Sequence, residues 1–441
     1  MQAKPSPIEP GKGDAPQVPP PSQSPSEQLV AKAVDATYNV IGWVLLGGVF
    51  LSATVILIGL ILEALQSNKF APEKLQQFPQ TFAQVWSGLL VLQPQAVITL
   101  GLLLLIATPV VRVAVSVAAF VVERDRRFIV ITLLVLLILL FSIFYVGAVI
   151  AVGQHQNFQH GEYSWVYPAL IFVGSIVAGL LGSLVGLGGG VLIVPMLTLV
   201  FGFPIGFAIG ASIISVIATS SGAAAAYVKE HMTNLRVGMF LELATTIGAI
   251  CGAFLAGLLA PNILSITFGV ILLISAAPLI FKIGEELPQG VKNDRWANWL
   301  HLNGTYPDHH LHRDVSYEVT RTPLGLAMMY VAGLVSGLLG IGSGTFKVLA
   351  LDEAMRLPIK VSTTTSNFMI GVTAAASAGI YFSRGDIPPL IAAPVALGIL
   401  IGALVGARVL AHISNKVLRI IFLAVIFIAA IEMVLRGLGI A

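Results

Sequence analysis

Apolar residues run through most of this chain in long stretches, each close to the ~20 residues that cross a bilayer. Three such stretches come first: roughly Tyr38 to Ala64, Gln95 to Val122, and Phe128 to Val152. The connection Leu65 to Pro94 is polar and amphipathic, and Glu123-Arg124-Asp125-Arg126-Arg127 joins the second stretch to the third. Positive loops stay in the cytoplasm, which places this turn and the N-terminus inside. Gly153 to Trp165 has no Lys or Arg, as expected of an external loop.

From Ala178 onward the pattern repeats at a constant offset of 154 residues. Ala178-Gly179-Leu180 recurs as Ala332-Gly333-Leu334, and Gly186-Leu187-Gly188-Gly189-Gly190 as Gly340-Ile341-Gly342-Ser343-Gly344. Pro204 matches Pro358, Ser212 matches Ser366, and Tyr227 matches Tyr381. Composition alone would align Gly with Ala, but not Pro, Ser and Tyr together. The pattern therefore reads as a duplication. Each copy has four apolar segments, in the first about Val166 to Phe201 (broken), Ile205 to Val228, Val237 to Leu259, and Ile263 to Phe281.

The broken segment has two available paths. A kinked single crossing gives four crossings and parallel copies, whereas a re-entrant hairpin gives three crossings and inverted copies. With hairpins, Lys229, Arg236, Lys282, Arg356, Lys360, Arg408, Lys416 and Arg419 fall inside, leaving mainly Arg384 and Arg436 outside. The positive-inside rule favours the hairpins and inverted repeats. The expected fold class is an all-α polytopic membrane protein with an internal duplication. The divisions are 1–37, a disordered Pro-rich cytoplasmic tail; 38–152, a three-helix membrane domain; 166–281, repeat 1; 282–322, a polar linker; and 323–441, repeat 2.

Composition agrees with this picture. The chain is 56% hydrophobic and 10% charged, with a mean hydropathy of +0.92, far from the roughly 25% charge of soluble domains. A net charge of +3, scattered along the chain, suggests no nucleic-acid surface. The lone Cys251 excludes an intrachain disulfide and reads as a small packing residue. Pro5, Pro7, Pro10, Pro16, Pro19, Pro20, Pro21 and Pro25 mark a tail that cannot bury a core, and it lacks the apolar run of a signal peptide.

The glycines divide by spacing. Gly248 and Gly252, with Gly402 and Gly406, fit small-xxx-small helix packing. The two breaks are denser; they either bend the helix or leave backbone amides pointing at a ligand, and they must be buried or line a cavity. Neither completes a dinucleotide or P-loop pattern. Half-helices starting near Val191 and Thr345 would direct partial positive charge at the bilayer centre, which attracts anions. Gly188, Gly189 and Gly190, with Gly342, Ser343 and Gly344, are therefore candidate substrate contacts.

Lys347 follows the second break by one turn, and an ionisable residue at that depth is a functional candidate. Ser212, Ser366 and Asn367 are the candidate hydrogen-bond donors, chosen from Ser212, Ser215, Thr219, Ser220 and Ser221 and from Thr363 to Asn367. Hydroxyls in membrane helices also bond back to their own backbone. Arg112, behind Thr108-Pro109, either snorkels to the cytoplasmic side or contacts the duplicated region. Glu242, near the start of a span, faces the interface or carries protons for coupling. Asp308, His309, His310 and His312, with His301 and Glu318, read as a solvated loop and not a metal site. No nucleophile–base set, H-E-x-x-H or paired carboxylate emerges, and neither enzyme activity nor a cofactor is expected.

The G-x-G-G-G break followed by Pro195 and Ala211-Ser212 resembles the sulfite exporter TauE/SafE family of membrane transporters. So does its recurrence with Lys347-Val348, Thr365-Ser366-Asn367, Tyr381 and Gly385-Asp386. The resemblance covers about Val166 to Gly437 and implies movement of small sulfur-containing anions such as sulfite, sulfonates or thiosulfate. Ser343 stands where a third glycine is usual, and Leu349 where a proline is usual. The leading three spans resemble an uncharacterised family of small membrane proteins found alongside such transporters, implying an accessory role. The expected protein is a secondary transporter of the cell membrane (bacterial-type inner membrane). Its partners are a small anion and the lipid bilayer, with the proton as coupling ion; a homo-oligomer fits too. An anion channel and a non-transporting scaffold or sensor are the other readings.

Overall fold

A computed structural model describes residues 25–66, 78–146, 166–185, 189–281, 288, 290–308, 313–409 and 415–440. The first unit comprises α1 (Pro25–Gln66), α2 (Phe82–Leu90), α3 (Pro94–Val122) and α4 (Arg126–Phe141), the last continued by a π-helical turn, Ser142–Val146. α1 starts upstream of the expected Tyr38, at Pro25: the residues after Pro25 contain no further proline and include the helix formers Glu27, Leu29, Ala31 and Lys32. Glycines let α1 and α3 run antiparallel in close contact. A Cβ on Gly59 would meet the Ile98 backbone at 2.8 Å, and one on Gly101 would meet the Ile56 backbone at the same distance. α2 lies in the polar connection and is started by a capping box in which Thr81 and Gln84 bond each other's backbone amides.

The duplicated region repeats its elements in the same order, with most helix starts at matched positions. The first copy holds α5 (Val166–Val185), α6 (Gly190–Pro195, with a π-turn to Val200), α7 (Ile205–Lys229), α8 (Leu235–Leu258) and α9 (Pro261–Phe281). The second copy holds α11 (Thr322–Leu339), α12 (Gly344–Leu349, with a π-turn to Ala354), α13 (Ile359–Ser383), α14 (Pro389–Val409) and α15 (Asn415–Gly437). Between them, α10 (Arg295–Leu300) precedes an antiparallel hairpin of β1 (Gly304–Asp308) and β2 (Arg313–Tyr317). This small structured module occupies what the sequence presented as a polar linker. Among the described residues, six helices are long and apolar enough to cross a membrane: α1, α3, α4 with the first residues of its π-turn, α7, α8 and α11.

The chain doubles back at each break. A Cβ on Gly189 would lie 3.5 Å from the Cα of Gly179, and one on Gly174 would meet Met196 Sδ at 2.6 Å. These pairs belong to antiparallel segments, not to one continuous helix. In the second copy Gly325 faces Met355, and Thr320 N donates to Met355 O at 3.2 Å. The two hairpins open at opposite ends of the bundle. The first has its open end near Asp386, whose Oδ1 would lie 3.0 Å from a Cβ on Gly206. The second opens toward the β-hairpin, where Arg356 and Pro358 share a groove with Gly304, Thr305 and Glu318.

Packing between the copies is reciprocal. Gly248 and Gly252 of α8 sit against the backbone of Tyr330, Leu334 and Leu338 in α11. Gly402 of α14 sits against Ile176 and Leu180 in α5, the positions that match Tyr330 and Leu334. Each copy thus lends its third helix to the other copy's hairpin. Cys251 departs from expectation: it is exposed on the flank of α8, since Gly248 and Gly252 turn the neighbouring face inward.

The two ends of the bundle differ in charge. Arg236 lies 3.5 Å from Glu123 and 3.4 Å from Asp125, and Arg127 donates to the carbonyl of Trp299 in the linker module. Burial raises the Glu123 carboxyl above its ordinary range, and the Arg236 charge opposes that rise. Asn234 donates to Leu302 O and to Tyr317 OH, both at 2.8 Å, tying the α7–α8 turn to the same end. At the opposite end Arg384 pairs with Asp386 at 2.7 Å and bonds Ala253 O at 2.8 Å.

Candidate functional site

The hairpin tips meet in the interior. Ser212 Oγ lies 3.0 Å from Gly190 O and 2.8 Å from Gly340 O, so a hydroxyl of the first copy bridges the first tip to the second. Its counterpart Ser366 donates to Gly344 O at 3.3 Å. Gly340, the C-cap of α11, is among the carbonyls that a helix end leaves unbonded, and Ser212 is placed to donate to it. A Cβ on Gly190 would come 3.2 Å from Gly340 O and would collide with Val216, so the tips approach at backbone distance. Gly340 and Gly342 have φ of +69° and +72°, the left-handed region where glycine carries no penalty. Ser343 adopts φ of +48° despite its side chain, and its buried Oγ has no partner among the described residues. Gly188 lies outside the described residues. Asn367 is largely buried and its amide bonds back to Thr363 O at 3.2 Å.

Lys347 is fully buried, and its Nζ donates to Thr373 Oγ1 at 2.7 Å. Thr373 passes its own proton to Met369 O at 2.9 Å, leaving its oxygen turned toward the ammonium. No carboxylate lies within ion-pair distance of Lys347 among the described residues. Glu242 of α8 is also fully buried, and its Oε1 lies 2.8 Å from Arg112 Nη2. Arg112 is 1% exposed, donates through Nη1 to Phe368 O, and lies 3.7 Å over the Phe368 ring. Lys347 is near enough for its charge to act on Glu242. Two cations and one carboxylate therefore share a sealed interior, with one positive charge in excess. Unmatched charge of that kind is costly without a ligand or function.

The sequence flagged Lys347, Arg112 and Glu242 separately but did not assemble them. Arg112 does not snorkel: it reaches into the duplicated region. The shared signal was that each is a lone charge inside an apolar run. No sequence spacing links residues 112, 242 and 347, which converge only through tertiary packing. Ser215, Thr219 and Ser220 bond carbonyls of their own helix, and Thr364 bonds both Lys360 O and Met232 O. Thr365 accepts from Asn234 N at the linker end. His309, His310 and His312 lie outside the described residues; among the described residues no group of three His, Cys, Asp or Glu is placed to hold a metal.

A duplicated helical bundle with two interrupted hairpins meeting at buried charge has the architecture of a membrane transporter. Residues 170–433 match the family model described as sulfite exporter TauE/SafE, and the chain belongs to that family. Residues 41–144 match a protein family of unknown function, DUF1634. The chain is 26% identical over 281 residues to the probable membrane transporter protein YunE of Bacillus subtilis (strain 168), covering 61% of this chain and 98% of that relative. It is 27% identical over 290 residues to a probable membrane transporter protein of Methanocaldococcus jannaschii, covering 62% and 97%. These relatives are matched over nearly their whole length by about three fifths of this chain. No solved structure matches the chain.

Proposed function

We propose that this membrane transporter is a secondary transporter of small sulfur-containing or organic anions, of the sulfite, sulfonate and thiosulfate class. The observation that carries this reading is Lys347: a fully buried ammonium whose partner is a neutral hydroxyl. Arg112, Glu242 and Lys347 together leave one positive charge for a bound anion to offset. The amides of Gly342, Ser343 and Gly344, and the unpartnered Ser343 hydroxyl, supply hydrogen bonds to its oxygens. Gly189 and Gly190 belong to the facing tip, Gly188 remains a candidate contact from the sequence, and Asn367 lies on the helix that follows the second. Ser212 holds the tips together, Ser366 is bonded to Gly344 of its own tip, and each hydroxyl donates a hydrogen bond to the anion only when those bonds break.

Inverted repeats and alternating access follow from hairpins that open at opposite ends and meet between them. Arg124, Arg126, Arg127, Lys229, Arg236, Arg356 and Lys360 cluster at the end bearing the β-hairpin, which supports a cytoplasmic assignment for that end and for the N-terminus. Burial of all three charges supports a transporter over an open channel, whose charges would be hydrated.

The test is flux in proteoliposomes over sulfite, thiosulfate, sulfonates and carboxylates, with and without an imposed pH gradient. Coupled, saturable flux of a sulfur oxyanion that Lys347→Ala abolishes is the expected result. Flux that ignores Lys347→Ala removes this residue from the site, and electrodiffusive flux insensitive to pH gradients establishes a channel.

A further inference from the structure

The three-span unit carries no copy of the glycine break, and it matches a different family model from the duplicated region. Yet it contributes the largest of the fully buried side chains, Arg112, to the centre of the duplicated region. The guanidinium engages both copies at once. It pairs with Glu242 in α8 of the first copy and bonds Phe368 O in α13 of the second. Phe368 and Thr373, the partner of Lys347, are five residues apart, about 7.5 Å along the helix. Arg112 and Lys347 are therefore anchored on one stretch of α13, and Arg112 is the one bonded to Glu242.

We propose that Arg112 is a positioning residue: it occupies Glu242 and so leaves the Lys347 ammonium unneutralised for the substrate anion. This inference rests on the anion-site reading given above. A buried carboxylate takes whichever cation is within reach, because leaving it unpaired is expensive. Glu242 Oε2 has no hydrogen-bond partner among the described residues, and Lys347 is another fully buried cation, anchored on the same helix as Arg112. Without Arg112, Lys347 collapses onto Glu242 and its charge is quenched. With Arg112, the carboxylate is held by a planar fork that a lysine cannot reproduce, one Nη on the carboxylate and one on a carbonyl. The accessory unit thus supplies a tethered counter-ion and sets the charge of a site that it does not itself line.

The experiment uses the full chain in proteoliposomes, with sulfite and thiosulfate as probes and four variants: Arg112→Met, Glu242→Gln, the double variant, and Arg112→Met with Lys347→Met. Arg112→Met is expected to weaken anion affinity about tenfold or more, and adding Glu242→Gln to restore it to within about threefold of the parent. Glu242→Gln alone is expected to bind the anion at least as tightly as the parent. A double variant as defective as Arg112→Met, an unchanged Arg112→Met, or loss of binding in a folded Glu242→Gln overturns the proposal. Infrared difference spectra, with the Glu242 band identified by its loss in Glu242→Gln, give a reading independent of substrate. Glu242 should remain a carboxylate in Arg112→Met, where Lys347 takes over, and show a carboxylic-acid band only when Lys347→Met is added. An acid band in Arg112→Met alone overturns the proposal. If the parent moves neither anion, the sulfur-anion reading fails while the infrared arm still decides the role of Arg112.

Discussion

The two hairpin tips occupy matched positions but differ in backbone and in chemistry: Gly189 has φ of -63° where Ser343 has +48°. Lys347 in the second tip corresponds to Ile193 in the first, Ser343 to Gly189, and Glu242 to Ala396 in the other copy's third helix. Reciprocal packing makes this contrast informative. Because α8 serves the second hairpin and α14 the first, Glu242 and Lys347 come together at one tip, and Ala396 and Ile193 occupy the equivalent positions at the other. The duplication built two equivalent niches; one is charged, and the other is filled by apolar side chains, both fully or nearly fully buried. Arg112 has no counterpart because the three-span unit is present once. Symmetry therefore supplies the frame for a central site, and asymmetry places its charge.

The sharpest way to break this contrast is to make the tips alike. Lys347→Ile puts the first tip's residue into the second. It should reduce anion flux by about a hundredfold or more, while the Arg112–Glu242 pair keeps the fold intact; substantial remaining flux would contradict a single charged tip. Gly190→Val tests whether the tips need backbone contact. Its side chain would strike Val216 and crowd Gly340 O, and a loss of about 1–3 kcal/mol should appear in thermal unfolding in detergent.

A smaller effect separates the matching tyrosines. Tyr381 OH lies 3.0 Å from Gly337 O and 3.1 Å from Leu338 O, carbonyls at the end of α11 just before the second break. Tyr381→Phe leaves these buried carbonyls without that donor and should cost about 1–2 kcal/mol. Tyr227, its half-buried counterpart, should tolerate the same change within about 0.5 kcal/mol. The smallest expected effect is Ser343→Gly, which removes a left-handed side chain and an unpartnered hydroxyl. It should raise stability by about 1 kcal/mol or less, set against the extra chain entropy of glycine. If the hydroxyl serves the anion, the same change weakens affinity, and the two readouts separate the roles.

Much of the architecture was legible because a constant offset carries helix starts with it: Gly190 and Gly344, Ile205 and Ile359, Leu235 and Pro389 all open elements at matched positions. Lys347 was legible as a lone charge beside a break. The Arg112–Glu242 pair was not, since contact across 130 residues depends on which helices pack and on their rotation. Ser212 and Ser366 were visible as hydroxyls at a suitable level, but their bonds to break carbonyls follow from where the tips stop. The β-hairpin between the copies escaped notice for another reason. Thr305, Tyr306, Val315 and Tyr317 form strands too short for an alternating pattern to stand out in a polar stretch.

The exchanged packing of the copies also bears on how the chain is made. α5 finds its partner α14 roughly 200 residues later, which at about 5–20 residues per second is tens of seconds of synthesis. During that interval the first hairpin has a glycine-broken tip with no mate, in a bilayer that cannot hydrogen-bond its exposed backbone. A chain truncated before α11 should therefore be held by insertion factors or degraded, and should not accumulate as a stable half. Reciprocal packing makes each copy's hairpin depend on a helix of the other, so neither is expected to be stable until α14 has been made.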